Sequence, residues 1–284
     1  MINYRSVEDL NRVIKNNLHT IPEVCAIVGI PRSGMLPATL LALYLGKPVI
    51  MADQLFTGGQ VWDLTNRFKI SVSATKDKPL LVIDDSCDSG NAMALVKDRI
   101  NTFIKNGKFL YSAVYVTEKG KNHVDFYFEQ VEQPRVFEWN ILDHNILTKA
   151  CVDLDGVLCR DPTDEENDDG ERYRAFLRDA EVKFVPHYEI NSIVSCRLEK
   201  YRPETEIWLK RHGIKYKNLF LLNVPDAKTR QLLGAYSQYK ADIYKALDTQ
   251  LFIESDPLQA SVINNLSKKP VYCLSDNIFY KERK

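Results

Sequence analysis

Residues Leu80–Asn91 read Leu-Leu-Val-Ile-Asp-Asp-Ser-Cys-Asp-Ser-Gly-Asn, and no other stretch constrains the fold as tightly. The run Leu80–Ile83 has the length and branching of a parallel strand buried on both faces, which places Asp84 and Asp85 at its carboxyl end. Ligands of open α/β sheets bind at that end. Asp88, Ser89, Gly90, Asn91 and Ala92 lead into Met93–Phe103, whose apolar residues recur with a helical period. The N–H groups that open a helix have no partner inside it and sit at the positive end of its dipole, so this turn can hold a phosphate. Gly90 removes a Cβ that would block close approach. Asp84 and Asp85 can accept hydrogen bonds from ribose hydroxyls or help to hold magnesium. A plainer alternative is that Asp-Asp-Ser caps a helix after a buried strand.

The whole arrangement resembles the PRPP-binding motif of the type I phosphoribosyltransferases. The resemblance implies that Asp84 and Asp85 hold the ribose hydroxyls, with Asp85 counted among the catalytic residues, and that Asp88–Ala92 hold the 5′-phosphate. That motif usually ends in Thr or Ser where this chain has Ala92. One hydroxyl contact is lost, and the backbone cradle is kept.

Upstream, Val24–Ile30 is a second buried-strand run, followed by Pro31-Arg32-Ser33-Gly34 and a helical pattern over Met35–Leu45. Strand, glycine-bearing loop and helix again form an anion site, now with the fixed charge of Arg32. In isolation such a loop reads as a solvated turn. Placed before the Asp-Asp motif, it resembles the pyrophosphate loop of the same family, with Arg32, Ser33 and Gly34 binding pyrophosphate with magnesium. Gln54–Thr75, with Gly58-Gly59 as a hinge and Arg67 and Lys69 as cations, resembles the mobile loop that closes over PRPP; a plain hairpin is the alternative. The aromatic-rich tail after Leu110–Val116 resembles the base-binding hood of the bacterial xanthine-guanine type. By that resemblance Lys119 reads a purine oxo group and Val136 and Phe137 sandwich the ring. The alternative is an ordinary alternating core of edge strands.

The second half opens with Ala150-Cys151-Val152-Asp153-Leu154-Asp155-Gly156-Val157-Leu158. Carboxylates one residue apart project from the same side of an extended strand end, so Asp153 and Asp155 can face one magnesium ion. Asp153 could then attack a phosphoryl group while Asp155 protonates the leaving oxygen. An Asp-x-Asp by itself is more often a solvated pair. In its Val-Asp-Leu-Asp-Gly-Val frame it resembles motif I of the haloacid dehalogenase-like (HAD) hydrolases. The resemblance implies Ser195, in the strand-like run Ser192–Arg197, as the motif II hydroxyl that donates to a phosphoryl oxygen. It implies Lys240 as the motif III cation, with Lys228 and Lys245 as competitors. Glu254 and Asp256 follow as the motif IV carboxylates that complete the magnesium shell, which of them touches metal being open. Arg160–His187 is too short for a large cap, and its acidic beginning reads as a solvated loop.

The chain has 284 residues, enough for one large or two modest domains with cores of their own. Lys plus Arg equal Asp plus Glu at 38 each, which gives no sign of nucleic acid or an anionic membrane as an obligate partner. No apolar run reaches the length of a membrane span and the first residues are not a signal peptide, so a cytoplasmic protein is expected. The six cysteines include no Cys-x-x-Cys pair and no His at zinc spacing; they read as small buried hydrophobes and are given no chemistry.

The resulting expectation is an α/β chain. Residues 1–147 would have a type I phosphoribosyltransferase fold, and residues 148–284 a Rossmann-like HAD domain with a small cap. The first would transfer phosphoribose from PRPP to a nucleobase, purine-like favoured. The second, with Mg2+ as cofactor, would hydrolyse a phosphate monoester, such as the nucleoside monophosphate just made. The other reading is a PRPP- or nucleotide-sensing domain fused to an active phosphatase. A homodimer is a possibility raised by analogy with transferases of this fold.

Overall fold

A computed structural model describes residues 2–56, 61–62, 69–70, 78–104, 107–234 and 236–281. Of the expected mobile loop, Gly58, Gly59 and Arg67 lie outside these residues. The chain divides into two compact units, Asn3–Trp139 and a second that begins at Asn140.

The first unit is a five-stranded parallel sheet formed by β1 (Ala26–Gly29), β2 (Val49–Met51), β3 (Leu80–Cys87), β4 (Phe109–Val116) and β5 (Phe126–Gln130), in the order β2-β1-β3-β4-β5. β1 and the Leu80–Ile83 part of β3 are continuous apolar runs because both faces are covered, whereas the edge strands β2 and β5 are partly exposed. Leu81 and Ile83 pack with Leu10, Ile14, Ala38 and Leu41 from α1 (Val7–Asn17) and α2 (Met35–Leu45) on one side. Leu80 and Val82 pack with Met93, Val96 and Ile100 of α3 (Asn91–Phe103) on the other. Ser6 caps α1 in a reciprocal pair with Asp9, and Gly46 ends α2 in the left-handed conformation.

One strand differs from the sequence expectation. Ile83 is where pairing with β1 stops, but the ladder to β4 continues through Asp84, Ser86 and Cys87. Asp84 and Asp85 therefore lie inside β3. Eight residues of β4 supply partners that a reading of β3 alone does not reveal.

The second unit has a six-stranded sheet of β6 (Ala150–Val152), β7 (Ile190–Leu198), β8 (Tyr216–Leu222), β9 (Leu251–Glu254), β10 (Val271–Cys273) and β11 (Ile278–Tyr280). The order is β8-β7-β6-β9-β10-β11, with only the last pair antiparallel. The order reverses about β6, which opens a crevice at the carboxyl ends of β6, β7 and β9. Tyr244 of α7 (Tyr236–Ala246) and Ala260 and Ile263 of α8 (Pro257–Ser267) cover Phe252 and Val194. Between β6 and β7 a short segment carries one helix, α4 (Glu171–Asp179), beside α5 (Arg202–Arg211). The Trp208 indole of α5 donates to the Ala180 carbonyl at 2.9 Å, which closes the end of α4.

Candidate active sites

In the first unit, parallel pairing sets Gly29 opposite Ile83, and the Ile30 N–H donates to the Ile83 carbonyl at 3.1 Å. This pairing brings the Pro31–Gly34 loop onto the acidic pair. A Cβ on Gly34 would come within 2.7 Å of Asp84 Oδ1, so only glycine lets the loop lie there. The Ser33 hydroxyl donates to Asp85 Oδ1 at 2.9 Å, and the Trp139 indole donates to Asp85 Oδ2 at 2.7 Å. Asp84 and Asp85 are both buried. Burial, joined by the neighbouring Asp85 carboxylate, pushes Asp84 well above the usual carboxylate range. Arg32 is exposed on the same loop.

Asp88, Ser89, Asn91 and Ala92 form an exposed turn that opens α3, where the first N–H groups have no partner within the helix; that of Asn91 lies 3.5 Å from Ser89 Oγ. The Asp88 carboxylate accepts from the Thr117 hydroxyl and the Gln133 amide, each at 2.8 Å. Burial raises Asp88, but these hydrogen bonds outweigh it and hold the carboxyl below its ordinary value. The requirement for Gly90 has a second cause beyond close approach: its φ is +77°, and a Cβ there would meet the His123 ring at 2.2 Å. Lys119 is exposed. Val136 and Phe137, expected to sandwich a base, are 0 % and 4 % exposed, and Phe137 packs against Tyr115 and Trp139 at centroid distances of 5.2 and 5.0 Å. A base stacked on either would require it to leave the core. Trp139, given no role by sequence, stays half-buried beside Asp85.

In the second unit, Asp153, Asp155, Ser195, Lys240, Glu254 and Asp256 line one cavity of about 520 Å³. They come from separate strand ends and from α7. The Asp153 N–H donates to the Ile253 carbonyl at 2.9 Å, which aligns the ends of β6 and β9. Lys240 Nζ lies 2.8 Å from both Asp153 Oδ2 and Glu254 Oε2, and 3.0 Å from Gln259 Oε1. Its three protons are thus committed. Burial opposes the Lys240 charge, but the two carboxylates outweigh it and raise the ammonium above its ordinary value. Burial and the nearby Glu254 push Asp153 up against the pull of Lys240. Lys228 and Lys245 are exposed, whereas Lys240 reaches the acids.

Asp155 carries a contact that the sequence did not signal. Arg197 Nη2 donates to its Oδ1 at 2.6 Å, and Nε lies 3.1 Å from both oxygens. The register of β7 against β8 shifts between Ser195 and Leu198, and such a shift re-aims side chains at a strand end. Ser195 is buried, and its Oγ accepts from the Arg197 N–H at 3.2 Å, leaving its proton for another acceptor. Asp256 lines the cavity while its Oδ1 caps α8 through the Gln259 N–H at 2.8 Å. The acidic stretch after Arg160 is largely exposed, as expected of a solvated loop, yet held in place: Arg160 forks onto Glu166, Asp168 accepts from the Gly170 and Tyr173 N–H groups, and Asp169 accepts from Tyr201 and Lys200. The cysteines described are all free thiols, and burial pushes Cys196 up to about 12.

Among the described residues no three His, Cys, Asp or Glu side chains stand together as a metal cage. No helix described is long and apolar enough to cross a membrane.

No protein-family model matches the chain. Among solved structures, it is similar to the purine phosphoribosyltransferase from Pyrococcus horikoshii Ot3, at 20% identity over 48% of this chain and 92% of that one, with a TM-score of 0.36. It is likewise similar to the Helicobacter pylori xanthine-guanine-hypoxanthine phosphoribosyltransferase, at 20% identity over 50% of this chain and 95% of that one, with a TM-score of 0.38. A hypothetical protein from Neisseria gonorrhoeae with bound ppGpp matches at 20% identity over 50% and 92%, with a TM-score of 0.37.

Proposed function

We propose that the chain is a bifunctional enzyme, a PRPP-dependent phosphoribosyltransferase in its first unit and a magnesium-dependent phosphate monoesterase of HAD type in its second. The observation that carries the second assignment is the convergence of Asp153, Asp155, Ser195, Lys240 and Glu254 on one cavity at a reversal of strand order. The first assignment is supported by the Arg32–Gly34 loop lying against Asp84 and Asp85, beside the exposed helix-opening turn at Asp88–Ala92.

In the transferase unit, Asp84 and Asp85 accept the ribose hydroxyls, the turn before α3 binds the 5′-phosphate through its N–H groups, and Arg32 faces the pyrophosphate. Ser33 and Trp139 hold Asp85 in place for this role. The base attacks the anomeric carbon as the bond to pyrophosphate breaks. Base selection by Lys119 belongs to the same proposal, with a purine-like ring favoured.

In the esterase unit, Asp153 Oδ attacks phosphorus and the ester P–O bond breaks. Asp155 gives a proton to the departing oxygen and takes one back from the water that then attacks phosphorus, which breaks the aspartyl phosphate into the Asp153 carboxylate and orthophosphate. Ser195 Oγ–H donates to a phosphoryl oxygen. The donor set fits a hard divalent cation, since magnesium is commonly held by one or two carboxylates with phosphate and water completing its shell. Asp153 and Glu254 would hold it, and when bound it offsets phosphate charge. The small α4 segment leaves the cavity accessible to small phosphate esters.

Coupling follows from chemistry. The transferase product is a nucleoside monophosphate, and removing its phosphate would draw the reversible first step forward. The test is incubation with PRPP, magnesium and a panel of bases, with products resolved by mass. Nucleotide that accumulates without nucleoside, while the esterase is active, would refute coupling. Tight PRPP binding without pyrophosphate release would favour a sensing role for the first unit. Asp153→Asn is expected to stop only the second step and Asp85→Asn chiefly the first.

A further inference from the structure

Arg230 of α6 (Ala227–Leu233) lines the esterase cavity, is 8 % exposed, and forms no ion pair with any carboxylate among the described residues. An uncompensated buried cation is costly, and the other two cations lining the cavity are already engaged. Lys240 has spent its protons on Asp153, Glu254 and Gln259, while Lys183 Nζ donates to the Gly156 carbonyl at 2.6 Å. Arg230 Nη1 donates to the Cys196 carbonyl at 3.1 Å and Nη2 to Asn167 Oδ1 at 3.2 Å, while the guanidinium stands over the Tyr236 ring. Among the described residues the buried Nε–H meets no acceptor. These contacts fix the planar fork against the carboxyl-terminal end of β7, the strand that carries Ser195.

We infer that Arg230 is a phosphate-binding residue of this site, holding the non-bridging oxygens of the phosphoryl group beside Ser195. This rests on the monoesterase reading and deepens it: the ligand is a phosphate monoester dianion or its product orthophosphate. Arg230 and Ser195 line the same cavity, so both can address one phosphoryl group. Lys240, neutralised by Asp153 and Glu254, is left to balance the nucleophile. A planar fork matches tetrahedral oxyanions in a way that an ammonium does not.

The test uses the full chain with magnesium, orthophosphate titrated calorimetrically, and a small aryl phosphate as kinetic probe. Arg230→Met and Arg230→Lys should each weaken orthophosphate binding and raise KM at least about tenfold, the loss expected when a charge-assisted hydrogen bond is removed. Circular dichroism melts check that each variant is folded, and should Arg230→Met not fold, Arg230→Lys decides. Unchanged orthophosphate affinity in a folded variant overturns the role of Arg230, while hydrolysis by the wild type keeps the esterase reading. A wild type that binds orthophosphate through Arg230 without hydrolysing any monoester refutes the esterase reading and leaves an anion site. Failure of the wild type to bind orthophosphate refutes the inference itself.

Discussion

Arg197 and Asp155 form an ion pair in which Nη2 and Oδ1 are 2.6 Å apart, with the Arg197 side chain fully buried and the Asp155 side chain 19 % exposed. The asymmetry decides what each truncation costs. Asp155→Ala strands a buried guanidinium and is expected to cost about 3–5 kcal/mol. Arg197→Met leaves a carboxylate that water can reach and should cost less, about 1–3 kcal/mol. Urea unfolding of the two variants measures the order; a larger loss for Arg197→Met would contradict it.

Lys240 stands between Asp153 and Glu254, and all three are buried. Lys240→Met leaves two like charges facing each other, with an expected loss of about 3–5 kcal/mol at neutral pH. Adding Glu254→Gln should restore part of that loss, because neutralising one of the two carboxylates abolishes the charge repulsion between them. Additive losses in a double-mutant cycle would show that the three groups are not coupled.

Gly90 combines a positive φ with contact against His123. Gly90→Ala should lose about 1–2 kcal/mol to the left-handed backbone and a further 1–3 to overpacking. A second change, His123→Ala, is expected to recover the packing share alone. Thermal melts of the pair separate the two, and full recovery would rule out the backbone contribution.

Trp139 and Ser33 both donate to the buried Asp85 carboxylate. Trp139→Phe keeps a ring and deletes one charge-assisted bond, for an expected loss of about 1.5–3 kcal/mol. PRPP affinity measured alongside denaturation reports whether Asp85 has lost its orientation; unchanged values in both assays would remove Trp139 from the site.

Asp84 is raised by burial and by Asp85. The folded protein then keeps a proton that the unfolded chain releases, so stability falls as pH rises from the ordinary carboxylate range through the folded value. Asp84→Asn removes that titration. Its stability relative to wild type should increase with pH over the same window, as read from urea midpoints, and a constant difference would show that Asp84 does not titrate there.

Much of this was legible in order along the chain. Buried parallel strands announce themselves as unbroken apolar runs, which locates the carboxylates that follow them in the sequence: Asp153 and Glu254 do stand at strand ends, whereas Asp84 and Asp85 fall inside β3 because β4 extends the ladder. Helix starts at Met35 and near Asn91 were readable from period and glycine for the same local reason. The hood is where the resemblance and the structure part: Val136 and Phe137 are buried, as the alternative of an ordinary strand core has it, because their strand, Arg135–Phe137, pairs with Asn3–Arg5 more than a hundred residues away, and no local pattern reports that partner.

The sequence by itself determined the two strand-and-acid signatures, because strand period and helix opening depend on neighbours a few residues apart. The tertiary structure alone decided which charges meet. Arg197 reached Asp155 across 42 positions and Lys240 reached Asp153 across 87, while Trp139 turned toward Asp85. Those pairings depend on strand order and register, and ion pairs and hydrogen bonds form only where the fold sets groups a few ångströms apart.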